Sequence, residues 1–403
     1  MICARVFRLA VWAVVFWPIL AAAEPAYDAF PKAVTGTARA VALGGAVVAD
    51  PDGYEAVFVN PAGLSGLAGR GIDFGSDGNT VDNFVVDLDN PKSRSLNVPL
   101  KYSYAGVRFV GDGWGLGFAA QTPFSFNDEF RGTVRQQRKG AVLIINGDAH
   151  EITNEANGYS LAVGKSFLDG TLGVGAALNY MRAQESYRLT PVISPSTAAF
   201  SRDVVGDAFS GGAGVLWQPR RWLRGGLVYK SGYRVPFGPE NNKGVPNGVA
   251  PFRDLKTPDR LTLGLRLSPR DDLRLFLQGR YVFAMKNTVV VGAGVFPSAP
   301  GSTVTSGARD TVEGAWGVEY IACDYDDLVA KLWGGGYLED ANIQGGYTRY
   351  HRTAGFSLAP WFISFNMAID DAELYDNFVI GLGVDLLKAA ERVSKRYGWK
   401  LPI

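Results

Sequence analysis

From residue 70 onward the apolar side chains return at every second position, and they keep that rhythm for about 9–13 residues at a time. In RLTLGLRLSP (260–269), Leu261, Leu263, Leu265 and Leu267 fall on one face of an extended chain, with Thr262, Gly264 and Arg266 on the other. DLRLFLQGRYVF (272–283) sets Leu273, Leu275, Leu277, Tyr281 and Phe283 against Arg274, Gln278 and Arg280. GTLGVGAALNY (170–180) and NFVIGLGVDL (377–386) repeat the scheme with glycine prominent on the second face. Strands in ordinary sheets run to ~5–6 residues, whereas a tilted strand that crosses a bilayer needs ~9–11. The length of the alternation therefore favours lipid over a second packed layer as the surroundings of the greasy face.

Fourteen segments carry this signal: 70–76, 101–111, 114–122, 158–166, 171–182, 208–218, 223–233, 260–268, 272–284, 312–322, 327–337, 351–359, 361–369 and 376–386. GDG (111–113), FLDG (167–170), PRRW (219–222), SPRDD (268–272) and ACDYD (322–326) read as tight turns. Between them lie the long stretches 123–157, 183–207, 234–259 and 285–311, read as loops. Short links at one end and long ones at the other are the layout of an outer-membrane barrel, and only a closed sheet leaves no unpaired backbone edge in lipid. The expected fold is all-β: a 14-stranded antiparallel transmembrane β-barrel over residues 70–386, a monomer in the outer membrane of a Gram-negative bacterium. An even strand count places both termini in the periplasm. Trp114, Trp217, Trp222, Tyr281, Phe283, Tyr320 and Trp361 near strand ends suit an interfacial girdle.

The two ends of the chain have other patterns. Residues 1–23 carry Arg5 and Arg8, an apolar run from Leu9 to Leu20 and Ala21-Ala22-Ala23, the pattern of a cleaved secretory leader. That run is short for a membrane span and contains Pro18. Residues 387–403 leave the two-residue rhythm, and LKAAERVSKRYGWK reads as a short amphipathic helix with a basic face, in a periplasmic tail. The 40 Lys and Arg balance 39 Asp and Glu, so charge gives no push toward nucleic acid. Cys323 is single once the leader is removed, and His150 and His351 are the only histidines. No nucleophile, metal cluster or nucleotide loop stands at a telling spacing, so neither an enzyme nor a cofactor is expected.

Residues 24–69 precede the first strand and are too apolar and too rich in glycine for an idle tail. They read as a plug folded into the lumen, with a cap beneath the barrel as the alternative. Gly44, Gly45 and Gly63 permit close approach, Asn60-Pro61-Ala62 makes a turn, and Asp50, Asp52 and Glu55 are positioned to meet inward cations. Arg108, Arg266, Arg274, Arg280 and Lys331 lie on the faces opposite the leucines and are the expected lumen charges. The wall glycines Gly173, Gly175, Gly381 and Gly383 either let other segments lie close or ease curvature. Phe124, Phe126, Phe130, Tyr233, Phe237, Phe252 and Phe296 are candidate contacts for a hydrophobic ligand, with Arg131 and Arg135 available to a carboxylate head.

TGTARAVALGGAVVADPDGYEAVFVNPAGLSGL (35–67) resembles the N-terminal signature of the outer-membrane long-chain fatty-acid and hydrocarbon transporters, the FadL/TodX-like family. Gly44-Gly45-Ala46, Asp50 with Asp52, and Asn60-Pro61-Ala62-Gly63-Leu64 carry the match, and DLKTPDRLTLGLRLSPRDDLRLFLQGRYV (254–282) is similar to the family's mid-barrel hairpin. The resemblance implies a hatch-filled barrel that takes up fatty acids or other hydrophobic compounds passively. Cargo would be captured at the extracellular loops and released sideways into the membrane lipid, through a gap made by an inward kink in an early strand. Related branches bind protein partners, so a secretion or assembly barrel with a periplasmic or extracellular partner is the alternative. A polar diffusion porin is a third reading, which a folded-in plug disfavours.

Overall fold

The computed structural model describes residues 36–67, 71–85, 95–138, 141–190, 200–236, 242–243, 254–284, 310–325, 328–340, 348–372 and 375–397. The leader, residues 285–309, and the candidates Phe237, Phe252 and Phe296 lie outside them. The wall has fourteen strands: β1 Gly71–Val85, β2 Ser95–Val110, β3 Trp114–Arg138, β4 Ala141–Phe167, β5 Leu172–Thr190, β6 Phe200–Arg220 and β7 Leu223–Lys230 make one half. The other half is β8 Arg260–Arg270, β9 Leu273–Val282, β10 Thr311–Tyr325, β11 Leu328–Glu339, β12 Arg349–Pro360, β13 Ile363–Ala372 and β14 Tyr375–Asp385. Each strand pairs antiparallel with its successor, and β1 pairs with β14 from Asp73–Asp385 to Asp82–Asp376, which closes the barrel.

The two faces separate as the alternation requires. On β8, Leu263 is 64% exposed on the outside while Thr262 and Arg266 are buried inside. On β9, Leu277 points out, with Phe276 and Gln278 buried. Such an outer face is costly in water and favourable in hydrocarbon. Near the tight turns, Trp114, Phe167, Trp217, Trp222, Tyr325 and Trp361 stand exposed. Toward the other end Phe118, Tyr159, Tyr180 and Phe209 form a row with centroids 6.4, 6.2 and 5.2 Å apart. There the hydroxyls of Tyr180, Tyr229 and Tyr281 donate to Asp207, Asp259 and Asp310 at 2.6, 2.8 and 2.5 Å. On β4, Tyr159 and Phe167 mark the two rows, a separation of roughly 20 Å along the axis for a strand of ~3.3 Å rise tilted ~40°.

The stretch 123–157 departs from the loop reading. β3 and β4 run on for 25 and 27 residues and pair with each other as far as Arg138–Ala141. β5 and β6, of 19 and 21 residues, likewise extend into the expected loop 183–207. These extensions run on past the segments of sustained alternation, so the two-residue rhythm does not mark them. Within 234–259, Arg234–Pro236 pairs with Asp254–Lys256, and Asn242–Lys243 adds to β6. A helix, Leu386–Tyr397, follows β14 directly.

Arginine in place of Leu263 should cost ~2–4 kcal/mol if this face meets the middle of the bilayer. Urea titration of the barrel in lipid vesicles measures it, and an unchanged midpoint would contradict the lipid-facing assignment.

Candidate functional site in a plugged lumen

Residues 36–67 fold inside the barrel as short helical pieces tied to the wall. Helix α1 (Ala38–Ala42) is capped by Thr37, whose hydroxyl accepts from Ala40 N at 3.1 Å and donates to Glu55 Oε2 at 2.6 Å. It stops at Gly44 and Gly45, which adopt φ of +62° and +77°. A methyl group on Gly44 would come within 2.7 Å of Gly336 O on β11, so the position tolerates no side chain. Helix α2 (Ala56–Val59) ends at Asn60, held extended by the proline after it. Asn60 Oδ1 accepts from Ala62 N at 3.1 Å to cap the 3₁₀ turn Pro61–Ser65. Its Nδ2 donates to Val48 O at 2.9 Å inside the plug and to Val215 O at 3.3 Å on β6. One buried amide thus joins turn, plug and wall.

The electrostatic centre is Arg39 of α1, buried beside the ring of Phe276. Its Nη1 donates to Glu55 Oε1 at 2.7 Å and to Asp50 O at 3.0 Å, and its Nε to Glu319 Oε2 of β10 at 3.1 Å. Asp50 also pairs with Arg224 of β7, Arg266 of β8 at 3.1 Å and Arg274 of β9 at 3.8 Å. Glu319 is closed off by Arg274 at 2.7 Å and the indole N–H of Trp333 at 2.9 Å. Lys331 reaches Asp52 at 3.6 Å. Five consecutive strands, β7 to β11, therefore grip the plug through charge. Burial alone would lower the Arg39 guanidinium, but Glu319 and Glu55 overcome it and hold it well above its ordinary value, so it stays charged.

A second anchor is built on Tyr54. Its hydroxyl donates to Asp77 Oδ2 on β1 at 2.7 Å, while Asp77 Oδ1 accepts from Ala38 N at 2.9 Å. Burial, with the Asp77 carboxylate beside it, pushes the Tyr54 phenol well above its ordinary value, so it remains a donor. Tyr104 of β2 stacks on Tyr54 at 5.7 Å and donates to its carbonyl at 2.8 Å. Here the wall changes. The β2–β3 ladder runs from Val110–Gly115 to Tyr104–Gln121 and, among the described residues, goes no further. Above that point β3 pairs only with β4, after an irregularity between Gln121 and Phe124 that spans Thr122 and Pro123. The β1–β2 ladder also slips, between Asp77 and Gly78 and twice beyond. Proline cannot donate to a ladder, which suits it to such a break. The β2–β3 pairing ends there, which leaves a seam in the ladder.

Above the plug, Lys230, Arg260 and Arg280 face inward with the carboxylate of Glu313 beside them, and among the described residues only Arg280 forms an ion pair with it, at 3.0 Å. Lys230 Nζ lies 3.8 Å from the centroid of Phe58 on α2. Nearer the mouth, Val235 folds inward onto Met181, Ala183 and Ala208, with Tyr233 packed beside them. Ser160, Asn179 and Ser210 form a hydrogen-bonded row on the inner wall.

Of the residues expected from sequence, Arg266, Arg274 and Lys331 meet plug carboxylates, while Arg108 pairs with Asp73 of β1 at 2.5 Å and Arg280 with Glu313. Phe124, Phe126 and Phe130 take alternate register positions on β3 opposite Ala156, Asn154 and His150, and Arg131 and Arg135 lie opposite Ala149 and Ile144. His351 is buried on β12 between Asp370 at 2.8 Å and Glu339 at 3.0 Å, stacked on Tyr337. Arg39, Tyr54, Lys230 and Arg260 escaped the sequence reading. Pro123 inside a strand-like stretch was the available clue to the seam.

No protein-family model matches the chain, and no curated protein matches it. Solved structures share its fold. The toluene transporter TbuX of Ralstonia pickettii is 16% identical, with a TM-score of 0.56 over 88% of this chain and 99% of that one. A FadL homologue of Pseudomonas aeruginosa gives 13% and 0.54 over 90% and 99%, and the CymD monoaromatic hydrocarbon channel 14% and 0.53 over 89% and 98%. The architecture is that of a plugged outer-membrane barrel.

Replacing Arg39 with Met would leave Glu319 and Glu55 without their shared cation, a change of ~3–5 kcal/mol for a broken buried pair. Protease cleavage within residues 36–67 and steady conductance in planar bilayers should both appear. A tight, resistant variant would show that the plug is held by something else.

Proposed function

We propose that the barrel passes hydrophobic compounds inward across the outer membrane by diffusion, with capture at the mouth and exit through the β2–β3 seam. The seam is the observation that carries this reading. A plug pinned by buried ion pairs obstructs the straight route, and the wall loses a strand pairing beside the plug residue Tyr54. The apolar patch at Val235 and Tyr233 offers a first contact, and Phe124, Phe126 and Phe130 on the β3–β4 extension are candidates for an earlier one. Phe237, Phe252 and Phe296 remain candidates on sequence grounds.

Among the described residues the lumen next sets Lys230, Arg260 and Arg280 near the carboxylate of Glu313, with Lys230 over the ring of Phe58. That arrangement suits an ionised carboxylate on a greasy chain better than a neutral hydrocarbon, because an uncompensated cation beside an aromatic ring gains most from an anion. The substrate class is therefore an amphiphilic carboxylic acid such as a long-chain fatty acid. The fold is shared with channels described for toluene and monoaromatic hydrocarbons, which supports the coarser reading. The tall β3–β4 extension supports a second reading, a barrel that binds a protein outside the cell.

Uptake of a labelled long-chain acid and of toluene, in cells with and without the chain, tests the proposal. The acid should enter several-fold faster with it, and Lys230→Gln with Arg260→Gln should cut that gain while sparing toluene. Equal rates for both compounds, with a protein recovered at stoichiometric yield on the barrel, would favour the second reading.

A further inference from the structure

The C-terminal helix, α3 (Leu386–Tyr397), takes no part in the plug, the seam or the lumen. It leaves β14 without a linker, and Asp385 Oδ1 accepts from Lys388 N at 3.0 Å to start it. With 3.6 residues per turn, Leu386, Ala389, Ala390, Val393 and Tyr397 fall along one side. On the same period Lys388, Glu391, Arg392 and Lys395 fall along the other, with Arg396 at its edge, so cations outnumber the one carboxylate. The apolar side is not covered by the barrel: Leu386 and Val393 are each 42% exposed.

Its position is set by a wall residue. The Arg392 guanidinium lies 5.0 Å from the ring centroid of Trp361, in the tight turn between β12 and β13. Trp361 is 54% exposed and belongs to the aromatic row at the short-turn end, where headgroups meet acyl chains. The helix also lies against β1, so it hugs the rim and does not hang free. At that level an uncovered stripe of two large apolar side chains among alanines is open to whatever surrounds the rim. It is too narrow for a stable protein interface, and the cations along its flank match anionic headgroups.

We propose that α3 is an interfacial anchor, with Leu386 and Val393 among the acyl chains of the inner leaflet and its cationic side against anionic phospholipid headgroups. The test uses the full chain carrying Cys3→Ser, Cys323→Ser and Val393→Cys, labelled with an environment-sensitive fluorophore. It is placed in nanodiscs of phosphatidylcholine alone, or with phosphatidylglycerol, each made with and without brominated chains. Discs with phosphatidylglycerol should give blue-shifted emission and at least twofold more bromine quenching than the zwitterionic discs. Combining Lys388→Gln, Arg392→Gln, Lys395→Gln and Arg396→Gln should abolish that difference, with heat-modifiable gel mobility reporting the barrel fold. Water-like emission in both discs overturns the proposal, and so does equal quenching in both. A blue shift without bromine quenching also overturns it and points to a protein surface instead. The comparison of the two discs decides the matter even if the fourfold variant does not fold.

Discussion

The guanidinium of Arg39 is the interaction on which the rest of the molecule depends. It draws together Glu55 and Asp50 of the plug and Glu319 of the wall, all with little access to water. A charge in such a place is tolerable only when paired and hydrogen-bonded, so neither partner is acceptable without the other. An empty barrel would leave Arg224 and Arg266 without Asp50, and a free plug would carry Asp50, Asp52 and Glu55 against Arg39 alone. Plug and wall are accordingly two parts of one structure, matched in charge as a domain core is matched in shape.

Shape does the complementary part. The inward face of the wall is stripped of side chains where the plug backbone lies on it. A methyl group on Gly164 would meet Leu64 C and Pro61 O at 2.8 Å, and one on Gly317 would meet Leu43 O at 2.9 Å. Around Gly175 and Gly214 the approach of Pro61 and Asn60 is closer still. Of the two roles open to the wall glycines, close approach explains these positions. The outward face of the same strands holds leucine and aromatic rings, so a single two-residue rhythm serves two solvents.

That division explains what could be read from sequence. The lipid face imposes alternation, so all fourteen wall strands were visible, and Asp50 with Arg266 and Arg274 could be foreseen because unpaired charge has few places to go inside a tube. Beyond the membrane the constraint lapses. In FSFNDEFRGTVRQQR (124–138) the apolar rhythm does not continue past Phe130, and the strand exists through pairing with β4. Arg39 was hidden for a different reason. A lone arginine in TARAVA looks like any short helix's surface residue, and its burial follows from Asp50 and Glu55 further along the plug and from Glu319, which arrives from β10. Lys230 and Arg260 sit at strand ends, where a cation at a water boundary is unremarkable in sequence.

The end of the β2–β3 ladder also works as a depth gauge. Backbone groups left unpaired in hydrocarbon cost several kcal/mol each, so oil must stop close to Gln121 on that flank. Phe118, in the outer aromatic row, lies just below it on the same strand. On the proposed route, an exit there would open at the waterline and not at mid-depth. A two-ended molecule slipping out could keep its ionised end wet while its chain folds over into the leaflet, and no charge need be dragged through oil.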